Sequence, residues 1–99
     1  MPEKEVTYKL SVTQARGDGY CTARVNIKPP LPAAYVPEMG DDAQGHFKSP
    51  PKDMEVLMRP DVIIFSHDGC TTNNHPQAFG SAALAAVRVA MKDHKLPLA

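Results

Sequence analysis

The sequence predicts a small α+β domain: a three-stranded sheet, built from an N-terminal antiparallel hairpin and a buried third strand, with one C-terminal helix packed on one face. Three observations carry this. Residues 6–13 and 20–27 alternate apolar and polar, residues 62–65 form a continuous apolar run, and residues 76–95 repeat with a helical period. Between the second and third strands lies a long proline-rich crossover, residues 28–60.

In the first strand Val6, Tyr8, Leu10 and Val12 fall on one face and Thr7, Lys9, Ser11 and Thr13 on the other. Gln14-Ala15-Arg16-Gly17-Asp18-Gly19 supplies two glycines and an aspartate that accept positive φ, which suits a hairpin connection. The second strand places Cys21, Ala23, Val25 and Ile27 inward and Tyr20, Thr22, Arg24 and Asn26 outward. Pro29-Pro30-Leu31-Pro32 ends it, because proline offers no ladder donor and favours an extended conformation.

From there to Pro60 no period is sustained, and only Met54-Glu55-Val56-Leu57-Met58 reads as a short strand or a single turn. A connection of this length in a compact domain is either functional or an ordered cover for the sheet, pegged by residues such as Leu31, Tyr35, Val36, Phe47, Val56 and Leu57. The run Val62-Ile63-Ile64-Phe65 reads as a strand buried on both faces. The helix covers one of those faces, so the crossover or a second subunit is expected on the other.

The helical stripe is Phe79, Ala83, Ala86, Val87, Ala90 and Met91, with Ser81, Arg88, Lys92 and Lys95 opposite. Lys92, His94 and Lys95 suit the negative end of the helix dipole, and Pro97 follows. The β-β-β-α order, with Gly80-Ser81 opening an alanine-rich last helix that carries Arg88 and Lys92, is similar in shape to the end of a double-stranded RNA-binding domain. That family opens with a helix, has a denser basic cluster and lacks the proline-rich insertion, so the likeness assigns no family.

Ninety-nine residues make a single domain, 1–99. A chain of that size buries roughly 60–65% of the surface its unfolded state exposes. Eleven basic residues balance eleven acidic ones. Nothing in the bulk charge therefore favours nucleic acid or a membrane surface, and little self-repulsion opposes association. Two cysteines, a charged N-terminus with no apolar run behind it, and no long apolar stretch predict a cytoplasmic protein with reduced thiols.

Four chemistries fit the residues. His67, Cys70 and His75, with Cys21 or His46 as a fourth ligand, have the nitrogen and sulfur donors that zinc takes, but no Cys-x2-Cys knuckle. Cys70, in a loop before a helix and beside His67 or His75, has the setting of an activated thiol, but no orienting partner completes a catalytic set. The contiguous Ser66-His67-Asp68 is no triad, because neighbouring side chains leave a strand on opposite sides. Lys9, Tyr20 and Arg24, or Arg88, Lys92 and Lys95, are too sparse for a nucleic-acid stripe.

The fourth chemistry is partner binding by the proline-rich segment, with Pro30, Leu31, Tyr35, Met39 and Phe47 as anchors. The expectation is a non-catalytic accessory protein that binds another protein or itself as a homo-oligomer. No cofactor, membrane or nucleic acid is expected, and a thiol or zinc site stands as the alternative.

Overall fold

The computed structural model describes residues 7–17, 20–48, 52–68 and 75–98. The expected hairpin is present as strands β1 (Lys9–Gly17) and β2 (Tyr20–Lys28), paired antiparallel from Lys9↔Lys28 to Gly17↔Tyr20; that pairing draws residues 14–17 of the expected connection into β1, and Val6 lies outside the described residues. Inward-pointing Cys21, Ala23, Val25 and Ile27 are all buried, as their alternation requires. The third predicted strand is present but is fourth in chain order. It is preceded by a five-residue strand, so the pair is β3 (Glu55–Arg59) and β4 (Val62–Asp68). The sheet has four strands, all antiparallel, in the order β1-β2-β4-β3.

The crossover also holds a second helix. A 3-10 turn, Ala33–Tyr35, runs into α1 (Val36–Gly45), and the C-terminal helix is α2 (His75–Asp93). The three-stranded, one-helix expectation is thus corrected to four strands and two helices within the same α+β class. The physical reason lies in tertiary packing. Among its described side chains α1 buries Met39, Gly40 and Ala43, a stripe too narrow to show as a period, and it forms against β3 and α2 rather than by propensity. Pro37 sits in its first turn, where no hydrogen-bond donor is needed.

Both helices lie on one face of the sheet. α2 spans β1 and β2 with the predicted stripe: Phe79, Ala83, Ala86, Val87, Ala90 and Met91 are all buried. α1 sits beside α2 and over β3, and a Cβ at Gly40 would stand 3.2 Å from Met58 Cβ, so a glycine sets how closely that helix approaches. Between them Phe47 packs on Phe65 and Phe79, with ring centroids 5.5 and 5.3 Å apart. The expectation that crossover or subunit covers the second face of β4 is also corrected for the crossover. It folds onto the helix side, and on the far face Ile64 and Ser66 are half-exposed.

The two helices are cross-braced. His46, just beyond α1, places Nε2 2.8 Å from Asp93 Oδ2, and His94, just beyond α2, places Nε2 2.5 Å from Asp42 Oδ2. The Tyr35 ring meets His94 edge-on at 5.8 Å. The His94–Asp42 pair is the less exposed of the two. His94→Ala is expected to lower unfolding stability by roughly 1–2 kcal/mol in urea denaturation, since it removes one charge-capable hydrogen bond and one ring contact. Asp42→Asn, which keeps an acceptor, is expected to cost less than half of that.

α2 ends in a Schellman motif. Lys95 NH donates to Lys92 O at 2.9 Å and Leu96 NH to Met91 O at 2.9 Å, which is the paired pattern that satisfies terminal carbonyls. The residue at the left-handed position is Lys95, with φ of 58°. Glycine is preferred there because it has no Cβ to clash. Lys95→Gly is expected to raise stability by about 0.5–1 kcal/mol, read as a higher melting temperature. Past this cap the chain returns to the sheet edge, where Tyr8 NH donates to Pro97 O at 2.8 Å and Tyr8 bridges Leu98.

Cys21 is disulfide-bonded, and no free cysteine is found among the described residues. The expectation of reduced thiols is corrected accordingly. The chain's one other cysteine, Cys70, lies outside the described residues. Two cysteines so far apart in sequence give no spacing signal from which a bridge could be read.

Candidate functional site

A sheet with both helices on one side leaves one face and two edges to be accounted for. On the open face the register sets up rows across the strands. Ser11, Asn26, Val62 and Arg59 form one row, Thr13, Arg24, Ile64 and Leu57 the next, and Ala15, Thr22, Ser66 and Glu55 a third. The β1–β2 half is therefore hydroxylated and basic, with Lys9 directly opposite Lys28 at its end. The β4–β3 half is apolar at its centre, where Ile64 and Leu57 border a shallow depression of about 430 Å³ with Thr22, Ser66 and Glu55 at its other side.

The β3 edge is the most unusual part of this surface. Its sequence is Glu55-Val56-Leu57-Met58-Arg59, with Val56 and Met58 half-buried toward the helices and Glu55, Leu57 and Arg59 exposed. Leu57 is 50% exposed, one of two large apolar side chains so placed among the described residues. Its row neighbour Ile64 shields one side only, because β3 has no strand beyond it. Edge strands of soluble proteins are usually blunted by prolines, bulges or inward charges, and none interrupts these five residues.

The residues expected to bind a partner lie elsewhere and mostly inside. Leu31, Met39 and Phe47 are buried in the chain's own core, Tyr35 is half-buried against His94, and Pro30 alone is exposed. Of the crossover's expected pegs, Leu31 and Phe47 are core residues, Tyr35 and Val56 are half-buried, and the side chain of Val36 lies outside the described residues. Leu57, expected as a buried peg, is exposed instead, and Glu55 and Arg59 flank it as opposite charges at the two ends of a five-residue run.

The metal and thiol set is not assembled among the described residues. His67 points into the core, 6% exposed, with its ring edge-on to Phe79 at 4.6 Å between centroids. Ser66 points to the open face, so the two alternate as the strand period requires. Cys21, in a disulfide, offers no thiolate to a metal. His46 is engaged with Asp93. Cys70 and the side chain of His75 lie outside the described residues. No three histidine, cysteine, aspartate or glutamate side chains converge among the described residues.

No helix is long and apolar enough to cross a membrane among the described residues. The chain matches no family model, no curated protein and no solved structure.

Proposed function

We propose that this chain is a non-catalytic binding protein that works as a homodimer, formed by antiparallel pairing of two β3 edges into one continuous eight-stranded sheet. The observation that carries the reading is the self-complementarity of Glu55–Arg59. About a two-fold axis through Leu57, Glu55 faces the partner's Arg59, Val56 faces the partner's Met58, and Leu57 faces itself. Both charged pairs then lie on the open face beside the Leu57 pair, and the half-buried Val56 and Met58 extend the core across the junction.

Within one chain Glu55 stands opposite Ser66 and Arg59 opposite Val62. The charges therefore have no cross-strand partner of opposite sign at home, and reversing either leaves the monomer's pairing intact. That makes a charge swap a clean test. By sedimentation equilibrium, Glu55→Arg alone or Arg59→Glu alone is expected to weaken the dimer roughly tenfold, because each puts two like-charge pairs directly opposite one another. The double substitution restores both pairs with their order reversed and is expected to return the affinity to within about threefold of the original. A double variant as weak as the singles, or a wild-type chain that stays monomeric at high concentration, would count against the reading.

A further inference from the structure

At the opposite end of the sheet, beside the β1 edge, α2 and the returning tail enclose an open groove of about 610 Å³. Its apolar floor is Val89, Leu96 and Leu98, and its rim carries Arg88, Lys92 and Lys95. Val89 is 43% exposed, the second of the two large apolar side chains left open among the described residues. Arg88 and Lys92 stand four residues apart on α2 and Lys95 follows just beyond its end, and none of the three has a carboxylate within ion-pair distance among the described residues. Among the described residues no acidic side chain lines the groove.

A second observation points to use. Lys95 occupies the one left-handed non-glycine position among the described residues, where glycine is the less strained choice. Such outliers persist when the side chain they carry is needed, and this one is the cation that closes the rim. The Schellman bonds already occupy the terminal carbonyls of Met91 and Lys92, so an anion placed here meets side-chain cations with those two carbonyls already engaged.

We infer that this groove binds a small amphiphilic anion: a hydrocarbon body laid on Val89, Leu96 and Leu98, and a terminal carboxylate held by Arg88, Lys92 and Lys95. Three features select that class. Its volume is that of a single small-ligand site. The floor is apolar and takes a chain, and the cations stand on one side and take one head group. The groove lies on the far side of the sheet from β3, so its occupancy is independent of dimer formation.

The test is a titration of the full chain with decanoate, decanol and octanoate, followed by amide shifts in two-dimensional NMR at pH 8 and below micelle-forming concentrations. Decanoate is expected to move the resonances of Val89, Leu96 and Leu98. Decanol is expected to bind at least tenfold more weakly, and octanoate by about fourfold for each methylene no longer buried. Arg88→Glu with Lys92→Glu, both on the exposed helix surface, is expected to weaken decanoate at least tenfold. Lys95→Gly separates binding from folding, since it is expected to raise the melting temperature while it weakens decanoate severalfold. Equal binding of decanol and decanoate, or no effect of the double charge reversal, would overturn the assignment. So would anionic vesicles or a glutamate-rich peptide shifting the same residues where decanoate does not, which would give the groove to a membrane or a protein.

Discussion

Phe65→Ala is expected to lower unfolding stability by about 3–5 kcal/mol, the largest effect of any single truncation in this chain. Phe65 is fully buried in β4, and its ring meets Phe47 beneath the place where α1 and α2 come together. Phe47 in turn touches Phe79 of α2, and Phe79 touches His67 two residues along β4. Removing the Phe65 ring therefore leaves a hole bounded by both helices and two strands, and none of these can collapse into it without leaving its other contacts. For a domain of this size the loss corresponds to a fall in melting temperature of roughly 15 °C or more. Phe65→Leu, which keeps most of the volume, is expected to cost under half as much. Thermal melts of the two variants with wild type check both numbers.

The second large effect is expected at Cys21. Cys21→Ala removes a disulfide anchored near the hairpin end of β2, an inner strand of the sheet, and loss of a native disulfide typically costs a small domain about 2–5 kcal/mol. The side chain is fully buried among Ala23, Val25 and the α2 stripe, so part of the loss is packing, but alanine keeps the smaller share of that volume. Reduction of the wild-type protein without substitution separates the two contributions. A reducing agent is expected to lower the melting temperature of wild type and leave Cys21→Ala unchanged. A non-reducing digest is expected to give a peptide linking Cys21 to Cys70, the chain's other cysteine. Wild type that melts identically in both conditions would contradict the bridge.

Period made much of the fold legible. β1 and β2 alternate, and α2 carries its six-residue stripe from Phe79 to Met91, so the inward residues of β2 and α2 are where their spacing puts them. α1 was hidden for a physical reason. Gly40 and Gly45 read as breakers and Asp41-Asp42 as a turn, yet Gly40 is the point of close approach to Met58 and Asp42 is the anchor for His94. Those roles exist only once β3 and α2 are in place, and a window of sequence does not contain them. β3 was legible only as a choice between a short strand and a single turn, because Leu57, an apolar residue on the outer face, spoils the alternation that Val56 and Met58 would otherwise show.

The same logic explains the candidate site. Leu31, Met39 and Phe47 looked like anchors for a partner because they are apolar in a segment without period, and they are buried because that segment is part of the core. Leu57 looked like one more peg and is the one left exposed. Composition does not distinguish a residue that buries itself in its own chain from one left on the surface. The sheet order does, because only an edge strand has an open side.

The β3 pairing is tested most directly by isotope-filtered NMR on an equimolar mix of labelled and unlabelled chains. The account predicts intermolecular contacts between Glu55 and the partner's Arg59, between Val56 and the partner's Met58, and between Leu57 and the partner's Leu57. Intermolecular contacts confined to any other surface, or none at millimolar concentration, would contradict it.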